Sequence, residues 1–124
     1  MPKILIIDDR WDNLIALEAL LYDLIPDCQV IAAQSGIEGI EKTLAELPDT
    51  ILLDIQMPIM DGYEVCQRLK ADENTKNIPI IFITAIETDT QSRIKGLEIG
   101  GDAFIVKPID EEELAAPVNV MLRI

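Results

Sequence analysis

The stretch Ile51-Leu52-Leu53-Asp54 decides how this chain folds. Three consecutive apolar residues are stopped by a carboxylate. A strand that is apolar at every position, not every second one, is covered on both faces, as strands of a parallel sheet are. Working outward, the pattern recurs four times. Lys3-Ile-Leu-Ile-Ile7 is stopped by Asp8-Asp9, and residues 30–33 form a short apolar run. Ile80-Ile81-Phe82-Ile83 follows Pro79 and is stopped by Thr84, and residues 103–106 are stopped by Lys107-Pro108.

The segments between these runs read as helices. Leu14, Leu17, Leu21 and Leu24 keep helical spacing over 13–24, ahead of Pro26. Ser35 can cap a helix running to about residue 47, before Pro48. Residues 62–71 and 89–99 read as two more, the second ending at Gly100-Gly101. Residues 110–124 form the last, with Pro117 inside it. An interior proline loses a hydrogen bond, so a kink or a restarted helix is expected there. Five β-α units, joined by right-handed crossovers, make one domain over residues 1–124, a three-layer α/β sandwich.

The bulk numbers agree. The 124 residues are 49% hydrophobic and 27% charged, which fits a folded globular chain and not a disordered one. No apolar run approaches the ~20 residues of a membrane span, and the N-terminus lacks a signal-peptide core. Cytosol is the expected compartment, and Cys28 and Cys66, without CxxC spacing, are expected as reduced thiols. Ten basic against 23 acidic residues give a formal charge of −13. That surface repels nucleic acid and anionic membranes and attracts cations. With no histidine in the chain, a histidine base, ligand or phosphohistidine within it is excluded.

In a parallel sheet all carboxyl ends share one edge, where open α/β folds bind ligands. Asp8, Asp9, Asp54, Thr84 and Lys107 are thereby gathered. At 4 Å and an effective dielectric near 20, each pair of carboxylates costs about 4 kcal/mol, and one lysine does not offset three. A hard divalent cation with oxygen ligands does, and Mg²⁺ suits one or two carboxylates, water and phosphate. The loop Asp8-Asp9-Arg10-Trp11-Asp12-Asn13 repels a bare phosphate, and neither GxxxxGK[ST] nor GxGxxG occurs. What remains is phosphate arriving with a metal, onto a carboxylate.

Asp8-Asp9, Asp54-Ile-Gln-Met-Pro-Ile-Met-Asp61-Gly62, Thr84-Ala85 and Lys107-Pro108, in that order and spacing, resemble the receiver domain of two-component response regulators. The resemblance runs from about residue 3 to 122. It implies a flavodoxin-like five-stranded parallel sheet with helices on both faces. It implies that Asp54 is the phosphoacceptor, that Asp9, Asp54 and the Gln56 backbone carbonyl ligate Mg²⁺, and that Asp8 acts through water. Lys107 would pair with phosphoryl oxygens, helped by a cis Lys107–Pro108 bond. Thr84 would bind the new phosphoryl group while Phe104 turns inward, remodelling the surface of the fourth helix, fifth strand and fifth helix. The phosphodonor would be a phosphohistidine on a sensor histidine kinase or histidine phosphotransfer protein, and the chain would serve as a switch, not as an enzyme. Gln56 and Ile86 would flank the path of hydrolytic water, apolar Ile86 slowing its attack.

The chain departs from receivers that dimerise as transcription factors at two places. Asp102-Ala103-Phe104 replaces Asp-Asp-Tyr, and Pro117 replaces an arginine. An aspartate-nucleophile phosphohydrolase is the rival of another class, but it needs an acid two residues after the nucleophile, where Gln56 stands. A degenerate receiver acting only as an interaction module would not need all five key positions filled. Trp11, two residues after Asp9, either covers the core or borders the pocket.

Overall fold

The computed structural model describes residues 1–84, 90–107 and 109–123. Five strands, β1 (Lys3–Ile7), β2 (Gln29–Ala33), β3 (Thr50–Asp54), β4 (Ile80–Thr84) and β5 (Ala103–Val106), alternate with α1 (Trp11–Leu24), α2 (Gly36–Glu46), α3 (Gly62–Lys70), α4 (Thr90–Glu98) and α5 (Glu111–Leu122). The strands form one parallel sheet in the order β2-β1-β3-β4-β5. This is the flavodoxin-like doubly wound order, in which the chain reverses direction between β1 and β3.

Alternate residues of the central strands feed two cores, which is why those strands are apolar throughout. Ile4, Ile6, Leu52, Ile81, Ile83 and Ile105 meet Leu14, Leu17 and Leu21 of α1 and Leu114 and Val118 of α5. On the other face Leu5, Ile7, Ile51, Leu53, Ile80 and Phe82 meet Val65, Cys66 and Leu69 of α3. Each fully buried Leu or Ile contributes about 1.5–3 kcal/mol.

Caps fix most helix starts. The Ser35 hydroxyl accepts from the Glu38 N–H, and Asp61 and Asp110 cap α3 and α5 in the same way. Helix α1 begins two residues earlier than its leucine spacing indicates, without a side-chain cap from Arg10. Gly100 takes φ +114 after α4, as a helix stop requires. Helix α5 does not restart at Pro117. It runs as one helix, begun by the Asp110 cap and held through the proline by Leu114 and Val118, both fully buried on either side of it.

Among the described residues, two other than glycine have φ in the left-handed region: Leu47 before β3 and Ile59 after it. Ile59 is β-branched and 99% exposed. Three groups along the open edge at β2 and the residue after it have partners. The Tyr22 hydroxyl accepts from the Val30 N–H, Lys42 donates to the Ala32 carbonyl, and Glu38 accepts from the Gln34 N–H. Both cysteines are free and buried, as expected, and burial pushes the Cys66 thiol up to about 11. Among the described residues no helix is long and apolar enough to cross a membrane.

Candidate functional site

The register that pairs β1 with β3 and β3 with β4 brings Asp8, Asp54 and Thr84 to one edge of the sheet. Asp54 closes β3 and Thr84 closes β4; both are buried, at 7% and 1% exposure. Asp8 and exposed Asp9 follow β1. One carboxylate oxygen from each of Asp8, Asp9 and Asp54 lies within 4.8 Å of the other two. Lys107 follows β5, where its N–H donates to the Thr84 carbonyl at 2.7 Å, extending the ladder by one rung. Five of the expected residues therefore do converge.

The Asp54 carboxyl is pushed up to about 6. Burial is the main cause, followed by the charge of Asp8; Lys107 and the Gln56 backbone N–H oppose the shift. The excess of negative charge expected from composition is thus a local property of this cleft, and one ammonium does not offset it. The group present suits a hard cation: three carboxylates on adjacent strand ends, with Gln56 two residues beyond Asp54.

Lys107 has a partner here that sequence did not indicate. Its ammonium donates to Asp8 Oδ2 at 3.0 Å. Asp8 also accepts from the Arg10 N–H at 2.9 Å and from the Asn13 amide at 3.1 Å. Asn13 was legible as an asparagine in the first turn of α1, but that position ordinarily reads as a cap.

Gly62 explains part of the Asp54–Gly62 motif. A Cβ on it would strike the Asp54 carbonyl, and its N–H donates to the Ile55 carbonyl at 2.8 Å. The turn after β3 therefore folds back tightly onto the strand end, with Asp61 capping α3 beside it.

Phe104 is half-buried. Its ring packs 5.1 Å from Phe82, which is 5.5 Å from Tyr63, and Lys95 lies 4.8 Å above the Tyr63 ring. Gly96 makes room for the Phe104 ring, which would collide with any Cβ there. Trp11 is 57% exposed and does not cover the core. Ile86 and Pro108 lie outside the described residues, so the water path and the Lys107–Pro108 bond do too. Gln56 is exposed.

Residues 4–119 match the family model described as the response regulator receiver domain. The chain is 41% identical over 127 residues to the DNA-binding dual master transcriptional regulator RpaA of a Synechocystis strain, covering 99% of this chain and 50% of that protein. It is 41% identical over 121 residues to the response regulator PleD of Caulobacter vibrioides, covering 98% of this chain and 26% of that protein. The chain thus spans half or less of the length of these relatives. Among solved structures, the receiver domain of a Pseudomonas aeruginosa sensor histidine kinase, with a magnesium ion coordinated in its active-site cleft, superposes with a TM-score of 0.87 at 28% identity, over 99% of this chain and 98% of that one.

Proposed function

Because this chain belongs to the response regulator receiver family, we propose that it is a phosphorylation-dependent switch whose acceptor is Asp54. The observation that carries the reading is the buried Asp54 carboxyl at the end of β3, held up to about 6 among Asp8 and Asp9 with Lys107 beside them. A carboxylate so crowded gains from both a cation and a phosphoryl group that brings one.

Asp9, Asp54 and the Gln56 carbonyl would hold Mg²⁺, with Asp8 acting through water. The ion supplies positive charge for the transferring phosphoryl group. An Asp54 oxygen attacks phosphorus in line; the P–O bond forms as the P–N bond of a partner phosphohistidine breaks, and the departing imidazole takes up a proton. The protein's own part is positioning and charge neutralisation. Lys107 neutralises the phosphoryl oxygens and the Thr84 hydroxyl donates to one of them. Movement of Thr84 would reach Phe104, whose seat against Phe82 and Gly96 joins β5 to α4.

The phosphodonor is then a sensor histidine kinase or histidine phosphotransfer protein, since this chain holds no histidine. We assign residues 1–124 to one receiver domain acting in the cytoplasm. The charge of −13 argues against DNA contact by these residues themselves. A phosphohydrolase reading is disfavoured by Gln56, which has no acid proton to give a leaving group.

Intact mass after incubation with acetyl phosphate and Mg²⁺ tests the proposal. One added phosphoryl group, absent with chelator, is expected. Consumption of excess acetyl phosphate without mass gain would favour the hydrolase, and no reaction would favour an interaction module.

A further inference from the structure

The two oxygens of Asp8 are unequally loaded. Oδ1 accepts one bond, from the Arg10 N–H at 2.9 Å. Oδ2 accepts two, from the Asn13 amide at 3.1 Å and from the Lys107 ammonium at 3.0 Å. An ionised carboxylate only accepts, so the NH₂ end of Asn13 must face it. Asparagine near a helix start ordinarily accepts a backbone N–H through its oxygen. Asn13 instead donates sideways into the cleft, and α1 has no side-chain cap from Arg10.

Arg10 and Asn13 belong to the same short segment and hold one oxygen each. Together they fix the rotation of a carboxylate that is 5% exposed. Lys107 comes from the far side of the sheet on a flexible stem, and it meets an oxygen whose direction is already set. Asp54 competes for the same ammonium, since Lys107 acts on its charge.

We propose that Asn13 is a positioning residue: by fixing the Asp8 carboxylate it parks the Lys107 ammonium there, and so controls how readily Lys107 is released to a phosphoryl group on Asp54. Parking is a property of the metal-free protein. Release rests on the phosphoacceptor reading given above. A hydrogen bond of ordinary strength corresponds to about a fivefold change in such an equilibrium.

Lysine-ammonium ¹H–¹⁵N NMR of the metal-free protein tests parking directly, with the Lys107 signal assigned by its loss in Lys107→Ala. The wild type should show a Lys107 ammonium protected from exchange with water. Asn13→Leu, which keeps the branched shape and removes the donor, should speed that exchange by about fivefold, and Asn13→Ala should do the same. Wild-type exchange rates in a folded variant of either kind overturn the parking role; amide spectra establish folding, and either variant alone decides. At saturating Mg²⁺, Asn13→Leu should accept phosphate from acetyl phosphate about three- to tenfold faster. An unchanged or slower rate overturns the release role. A wild type that takes up no phosphate sinks the phosphoacceptor reading instead, and leaves the ammonium exchange to decide parking.

Discussion

The two edges of the sheet both carry carboxylates, and they treat them in opposite ways. At the amino edge, Asp49 accepts from the Lys3 N–H at 2.7 Å, and Asp102 accepts from the Ile80 N–H at 2.8 Å with the Lys70 ammonium 3.8 Å away. Parallel strands begin with unpaired N–H groups, so a carboxylate placed there finds a donor of its own. At the carboxyl edge the strands end in carbonyl groups, which offer a carboxylate nothing. Asp8, Asp9 and Asp54 must share Lys107 and a few N–H groups from the following turns, and Asp54 is driven up to about 6. A carboxylate at a strand start thus meets a backbone donor of the sheet itself, whereas those at the strand ends depend on the following turns and on Lys107.

The largest break in this comparison comes from exchanging the same atoms at each edge. Asp54→Asn should abolish phosphoryl incorporation by intact mass, whereas Asp49→Asn should leave incorporation near wild type. Equal labelling of both would erase the functional distinction between the edges.

Stability should divide them in the reverse sense. Asp102→Ala leaves the Ile80 N–H without its acceptor and Lys70 without its carboxylate, so urea unfolding should register a loss of about 1–2 kcal/mol. Asp54→Asn should gain about 1 kcal/mol at pH 7.5 without metal, a figure reduced for solvent in the open cleft. The sign follows from linkage. The folded chain holds the Asp54 proton up to about 6 against an ordinary 3.8. The stability this contributes is complete below about pH 4 and is lost as pH rises through 6. Wild type without metal should therefore weaken between pH 4 and 6 relative to Asp54→Asn, a difference urea titrations across that range can measure. Mg²⁺ at ten times its Kd should restore about 1.4 kcal/mol at pH 7.5 to wild type and much less to Asp54→Asn.

The smallest effect concerns the turn after β3. Ile59 holds φ +71 with its side chain almost wholly in water, so Asn, which tolerates that region, should stabilise by about 0.5–1 kcal/mol. A thermal midpoint that does not rise would mean the strain is relieved elsewhere.

Most of the fold was legible because burial on both faces leaves a plain mark: strands apolar at every position. The strand ends then gave Asp8, Asp9, Asp54, Thr84 and Lys107 together. Helix α1 escaped by two residues because its start has no capping side chain to read. Pro117 left a kink or a restart open, and α5 does not restart there: sequence shows the missing N–H but not Leu114 and Val118 anchored on either side. The partners of Asp8, Asp49 and Asp102 were also out of reach. Asn13 and Lys107 lie 94 positions apart by number, and the long-range donors, Lys107 to Asp8, Lys3 to Asp49 and Ile80 to Asp102, are decided by sheet register, which no local pattern encodes.

Edge strand β2 carries a further consequence. A bare sheet edge is a template on which another chain can lay a strand, the first step toward aggregation or cross-β stacking. Here Tyr22, Lys42 and Glu38 occupy the Val30, Ala32 and Gln34 groups that such a strand would need. The guard depends on helices remaining docked: Tyr22 sits in the last turn of α1, and Lys42 and Glu38 are on α2. Fraying of α1 near its end would uncover the Val30 N–H while the α2 contacts of Lys42 and Glu38 stayed in place, so the two helices guard different parts of the same edge.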